Sequence, residues 1–385
     1  MTAGAFATQA GFVLSNGGNP HKELPVPLGI RRMIARSTLA ATAGLGVLIG
    51  MTATEASAQE RFQVSGTNVA IYNLAGRIVL EAGSGSDVTV DVSRGGGDAG
   101  QLRIETGRID DANTLRVVYP SSRVVASFLS SNQQTKVRVR DNGTFSDNGS
   151  DRGPRVTISD DGNGLEAWAD LTVRIPSGKA VSVYLAVGRI EATNLDGDIR
   201  LDTHSAPVTA RDIRGSLDVD VGSGSVDLSR VTGTLRVDTG SGGVKVNDVD
   251  SDVIDIDTGS GGVRGGNITA ETIRIDTGSG SIELDNVGGD RLLMDTGSGG
   301  VRLTLNRAPT HIDVDTGSGG VTIRSPNGLN AMVELETGSG SIETDFPITV
   351  QRHSRDQVQG QIGDGSGRIK IETGSGSIRL LKTTG

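Results

Sequence analysis

Cysteine is absent from all 385 residues, which excludes a disulfide framework, thiolate metal sites, Fe–S clusters and a cysteine nucleophile. Aromatic residues are scarce, with one Trp, three Tyr and six Phe, so large rings cannot dominate the core. The formal charge of −9 lacks the basic excess of a general nucleic-acid binder. Only 10 prolines occur and glycine does not recur at every third position, which excludes collagen. Past residue 51 no apolar run approaches ~18 residues, so a spanning helix is not expected in the mature chain. What is abundant is glycine, with 57 residues or about 15% of the chain against a typical ~7%.

Arg31, Arg32 and Arg36 precede an apolar stretch from Leu39 to Met51, which ends in Ala56-Ser57-Ala58 before Gln59. A basic flank, an apolar centre and a small-residue end are the parts of an export signal, here cleaved between Ala58 and Gln59. A leader of residues 1–58 is long, and Met33 as the true start, with residues 1–32 an over-read, is the simplest account of its length.

The strongest signal is internal repetition. Asp-Thr-Gly-Ser-Gly or a near variant begins at Asp220, Asp238, Asp257, Asp276, Asp295, Asp315, Glu336 and Glu372, at intervals of 18, 19, 19, 19, 20, 21 and 36 residues. Around each copy apolar residues alternate with polar ones, as in Leu235 and Val237 before the glycines and Val244 and Val246 after them. Period two with β-branched residues on one face is the strand signature. One such unit cannot bury its aliphatic face alone, whereas stacked units can. The expectation is therefore an all-β chain forming a β-solenoid, single-stranded and β-helix-like, built from ~19-residue Gly-rich coils. Residues 190–382 form its regular part, with structural corners at Gly240, Gly242, Gly259, Gly261, Gly278, Gly280, Gly297, Gly299, Gly317 and Gly319, each expected to take φ > 0. Residues 59–189 read as an irregular section with polar loops that serves as a cap, and residues 346–367 as a cryptic coil or a loop excursion.

Asp-Thr-Gly also begins the aspartic-protease signature, but that chemistry needs two carboxylates facing one another across a cleft. Here parity places the aspartates outward in a row. A solvated structural row is the plain reading; a row of cation ligands at Asp238, Asp257, Asp276, Asp295 and Asp315 is the functional one, since Ca²⁺ takes several oxygens. The glycine-rich nonapeptide of calcium-binding β-rolls is missing. His204, His311 and His353 lack metal-ligand spacing, and no catalytic or cofactor-binding residue stands out.

Asn73-Leu74-Ala75-Gly76-Arg77-Ile78, Leu171-Thr172-Val173-Arg174-Ile175-Pro176-Ser177-Gly178, Gly188-Arg189-Ile190 and the Asp-Thr-Gly-Ser-Gly series carry a likeness over most of residues 65–380. In these the chain resembles a widespread bacterial family of β-strand-repeat proteins, labelled adhesins on appearance and otherwise a domain of unknown function. The resemblance implies an architecture and no catalytic residues. The expected function is that of an exported, non-enzymatic adhesin or surface-binding scaffold without a cofactor. Its partner would be an envelope component or a polysaccharide and not a nucleic acid, with weak self-association of the repeat left open. The alternatives are a periplasmic structural or envelope-stress-associated protein and, in a different class, a polysaccharide-active β-helix enzyme.

Overall fold

In the computed structural model residues 59–130, 133–146 and 153–383 are described, within a unit spanning Glu55–Gly385. The expected leader, including Ala58, lies outside the described residues; Gln59 is the first of them.

Alternating β-branched residues make strand the dominant element of the described chain, beside one short 3₁₀ turn at Ala99–Gln101. The N-terminal section holds β1 (Glu60–Val64), β2 (Asn68–Ala82), β3 (Val88–Gly95), β4 (Arg103–Ile109) and β5 (Ala112–Val118). Short strands β6 (Arg123–Val125), β7 (Gln134–Arg138), β8 (Arg155–Ser159) and β9 (Leu165–Glu166) follow, and then β10 (Trp168–Ile175). The repeats begin with β11 (Lys179–Ser205), β12 (Val208–Val221), β13 (Val226–Thr239), β14 (Val244–Thr258), β15 (Val263–Thr277) and β16 (Ile282–Thr296). Shorter strands complete them: β17 (Val301–Leu305), β18 (His311–Thr316), β19 (Val321–Ser325), β20 (Ala331–Thr337) and β21 (Ile342–Thr344). Last come β22 (Thr349–His353), β23 (Gln357–Ile362), β24 (Gly367–Thr373) and β25 (Ile378–Lys382).

From β11 to β16 each strand pairs with the next in parallel, equivalent residues side by side. Val237, Ile256, Ile275 and Met294 thus form one buried column, at most 2% exposed. Each such side chain gains about 1.5–3 kcal/mol on burial, and a one-residue slip would turn the whole set outward. The change of repeat length from 18 to 19 has a physical counterpart. Gly233 pairs with Ser251 but Thr234 pairs with Val253, so Asp252 is the extra residue of a bulge.

The arrangement is not the expected single-stranded β-solenoid. It is an all-β fold of open sheets with mixed pairing, one of 21 strands and one of four strands. Antiparallel pairs join β1 to β3, β3 to β10 and β4 to β5, and at the other end join β20 to β23 and β22 to β23. The strand sequence also breaks: β18 lies beside β24, and β20 lies on the far side of β24. Residues 346–367, expected as a coil or a loop, instead supply the antiparallel pair β22–β23 that covers the edge of β20. A regular repeat reports which residues pair and which face is apolar. It cannot report the hairpins that close the two ends, because their pairing is not periodic.

The backbone bends within each long strand at a residue of positive φ: Asn194, Asp212, Arg230, Asp248, Asn267 and Asn286, all at 53–58°. Asn and Asp tolerate this left-handed region better than other non-glycine residues. The corner glycines do not occupy it. They are required by close approach instead: a Cβ on Gly242 would lie 1.6 Å from the Gly224 carbonyl oxygen.

Candidate functional site

The Asp-Thr-Gly-Ser-Gly copies are brought together on adjacent strands, and their first residues form one continuous outward column. In spatial order it runs Asp220, Asp238, Asp257, Asp276, Asp295, Asp315, Glu372 and Glu336; the register continues at the Asp220 end into Asp202, which is buried. Neighbouring strands stand about 4.8 Å apart, so this is a line of like charges at close spacing. A parallel column two residues earlier mixes signs: Arg200, Asp218, Arg236, Asp255, Arg274, Leu293, Asp313, Lys370 and Glu334. Arg200 bridges Asp218 at 3.0 Å and Asp220 at 3.4 Å, Arg236 meets Asp255 at 3.1 Å, and Lys370 meets Glu372 at 2.7 Å. The face is acidic overall but laced with cations along its length.

The corner amide goes to the motif threonine and not to the aspartate. Gly242, Gly261, Gly280 and Gly299 donate their N–H groups to the hydroxyls of Thr239, Thr258, Thr277 and Thr296 at 2.6–3.1 Å. These threonines are at most 1% exposed, so each is a buried clamp holding the turn. The motif therefore divides its labour, with Asp outward, Thr inward and the glycines stacked backbone on backbone. No two of its carboxylates face one another across a cleft, which removes the aspartic-protease geometry.

Burial, and after it the carboxylates of Asp238 and Asp276, raise the Asp257 carboxyl above its ordinary pKa; burial with Asp276 and Asp315 does the same to Asp295. A raised carboxyl disfavours the charged form in the fold, so these groups destabilise at neutral pH and cease to do so on protonation. Asp257→Asn should therefore raise the melting temperature at pH 7, and the gain should vanish when both forms are compared in acid. Among the described residues no group of three or more His, Asp or Glu is placed to hold a metal. Millimolar Ca²⁺ should accordingly leave melting unchanged. A large upward shift, abolished in Asp257→Asn/Asp276→Asn, would show instead that the column takes cations. His204, His311 and His353 are carried by β11, β18 and β22, well separated in the sequence.

Two polar arrangements escaped the sequence reading. Asn286 donates to Asn267 at 2.7 Å, Asn267 to Asp248 at 2.9 Å, and Asn306 to Asn286 at 3.0 Å. These are mainly the positive-φ residues, whose fixed spacing was the available signal. In the N-terminal section Asp91, 2% exposed, accepts from Arg61 Nε at 2.6 Å and also pairs with Arg174. The Arg61 hydrogen bond first, and then that from Arg174, hold its carboxyl down to about 2. A lowered carboxyl stabilises the fold above its unfolded value of about 3.9 and loses that contribution as pH falls through about 2. Asp91→Asn should therefore flatten acid unfolding across this window, as followed by circular dichroism.

Asn73, from the first motif of the resemblance, is fully buried and donates to the carbonyls of Ala75 and Ala169, while Tyr119 donates to its Oδ1 at 2.8 Å. No helix among the described residues is long and apolar enough to cross a membrane. The sequence profile of a family described as Toastrack DUF4097 matches residues 67–381. Among solved structures the chain is similar to a suspected cell adhesion protein from Clostridium sporogenes ATCC 15579, with 11% identity over 85% of this chain and 99% of that one. The TM-score of 0.18 is too low to argue from. No curated protein matches the chain.

Proposed function

Because the chain belongs to the Toastrack DUF4097 family, we propose that it is an exported, non-enzymatic β-domain of the bacterial envelope, an adhesin or surface-binding scaffold. The observation that carries the reading is the outward column from Asp220 to Glu336, in which one chemical position recurs on strand after strand. Repeated identical positions at fixed spacing favour many weak contacts whose combined effect is large. A glycosidase needs two carboxyl groups on opposite sides of a scissile bond, whereas these stand side by side on one face. The ion pairs of Arg200 and Arg236 favour a second reading, because a face that satisfies its own charges can serve a periplasmic structural role without a ligand.

Protease shaving of intact cells beside lysed cells separates the two, with a tag inserted in the exposed bend of residues 161–164. Loss of the tag on intact cells is the expected result. Protection until lysis, with the mature chain starting at Gln59, would assign the protein to the periplasm and overturn the surface role.

A further inference from the structure

Trp168, the single tryptophan of the chain, opens β10 opposite Gly95 of β3. A Cβ on Gly95 would lie 2.4 Å from the indole, so the missing side chain is what lets the ring lie against the neighbouring strand. Phe128, after β6, meets the indole edge-on with centroids 5.7 Å apart and planes at 78°. Among the described residues the exposed large apolar side chains are Phe128, Val253, Met332 and Val350, and Phe128 is the aromatic one, 45% exposed.

Both rings line a cavity of about 490 Å³. Gly76 and Gly188, also in the lining, stack so closely that a Cβ on Gly188 would lie 1.8 Å from the Gly76 carbonyl oxygen. Arg77, Asp170 and Arg189 supply its charged lining, together with the polar Ser130, Gln133 and Ser205. The Arg77 guanidinium donates twice to Glu191, at 3.1 and 2.6 Å, and its backbone N–H donates to Asp170 Oδ1 at 2.7 Å. Arg189 Nε lies 3.2 Å from Glu191. Glu191 stands outside the lining but pairs with both guanidinium groups, so that it and the lining Asp170 together offset their charge.

We infer that this cavity is a binding site for a neutral oligosaccharide. A pyranose ring offers an apolar C–H face to an aromatic wall, and hydroxyls that both donate and accept. Guanidinium groups have donors to spare and carboxylates have acceptors to spare beyond the bonds they make here. Asp170 and Glu191 oppose an anion, and Arg77 and Arg189 oppose a cation. A proline-rich peptide also docks on aromatic rings, but it needs an aromatic-lined groove, and the rings here are confined to Phe128 and Trp168 beside three charged side chains. The size and the mix of aromatic surface with a few fixed polar groups match a small-ligand site.

The inference rests on reading the chain as a binding domain and supplies the class of its ligand. Trp168 makes the test direct, because the intrinsic tryptophan fluorescence of the full chain reports on this cavity alone. The probes are N-acetylglucosamine oligomers, representing wall glycan, and glucose oligomers, representing glycan from outside the wall, with oligogalacturonate and oligoproline as contrasts. The expected result is a saturable emission change with at least one neutral class. It should be about tenfold weaker in Phe128→Ala, weakened also in Arg189→Gln, and unaltered in Lys245→Ser, with melting temperatures unchanged in the first two. No saturable change with any neutral oligomer, binding indifferent to Phe128→Ala, or preference for oligogalacturonate or oligoproline would overturn it. Surface exposure on intact cells without glycan binding would sink this inference and leave the surface role standing. Glycan binding by a chain shielded from protease would do the reverse.

Discussion

Val237→Asp should unfold the repeats around it, at a cost above about 4 kcal/mol, while Lys245→Ser should leave the melting temperature almost unchanged. Val237 is 1% exposed, and its strand neighbours are Val219 and Ile256, both fully buried. A carboxylate there has no cation to pair with and no water to solvate it. Lys245, by contrast, is 62% exposed and stands 4.0 Å from Asp227, a surface pair worth about 0–1 kcal/mol at most. The comparison is made by thermal denaturation followed in the far ultraviolet. Equal shifts for the two variants would contradict the assignment of faces on which the acidic column depends.

Gly261→Ala should cost about 3 kcal/mol, far more than removing a flexible glycine ordinarily does. Its Cβ would meet the Gly242 carbonyl oxygen at 1.8 Å and the carbonyl carbon at 2.4 Å. Both are backbone atoms that cannot rotate away. The same close contact recurs along the stack, from Gly280 to Gly261, Gly299 to Gly280 and Gly319 to Gly299, so relief at one corner is resisted by the next. Gly243→Ala is the matched control, since its nearest contact would be the Gly262 oxygen at an ordinary 3.6 Å. Urea midpoints of the two variants should differ widely; coincident midpoints would mean that the glycines serve another purpose.

The pairing register was legible because it is periodic. Asp238, Asp257, Asp276 and Asp295 stand at intervals of 19 residues and are register partners. The outward aspartates and the inward Val, Ile and Leu followed from alternation alone. Positive φ is expected at the corner glycines, whereas within the long strands it falls on Asn, Asp, Arg230 and other glycines such as Gly215, and the corner glycines answer to backbone contact. The repeat predicts a solenoid because it is silent about the antiparallel pairs at each end, such as β20 with β23. Phe128 and Trp168 lie 40 residues apart without a shared motif, and only the folded chain brings their rings together. Asp91 was hidden in the same way, because both its arginines come from other strands.

Everything proposed for the outward face requires that the acidic column be continuous in the observed strand order, where Asp315 adjoins Glu372 and Glu336 lies one strand further on. The absence of native cysteine allows a clean test by paired substitution and mild oxidation. Cysteines at neighbouring positions of adjacent strands fall within the ~4.4–6.8 Å Cα separation that a disulfide spans, and those two strands apart do not. Asp315→Cys with Glu372→Cys should cross-link readily, seen as a mobility shift reversed by reductant, while Asp315→Cys with Glu336→Cys should stay reduced. Cross-linking of the second pair and not the first would mean that the strands stack in chain order, contradicting both the open mixed-sheet fold and the column built on it.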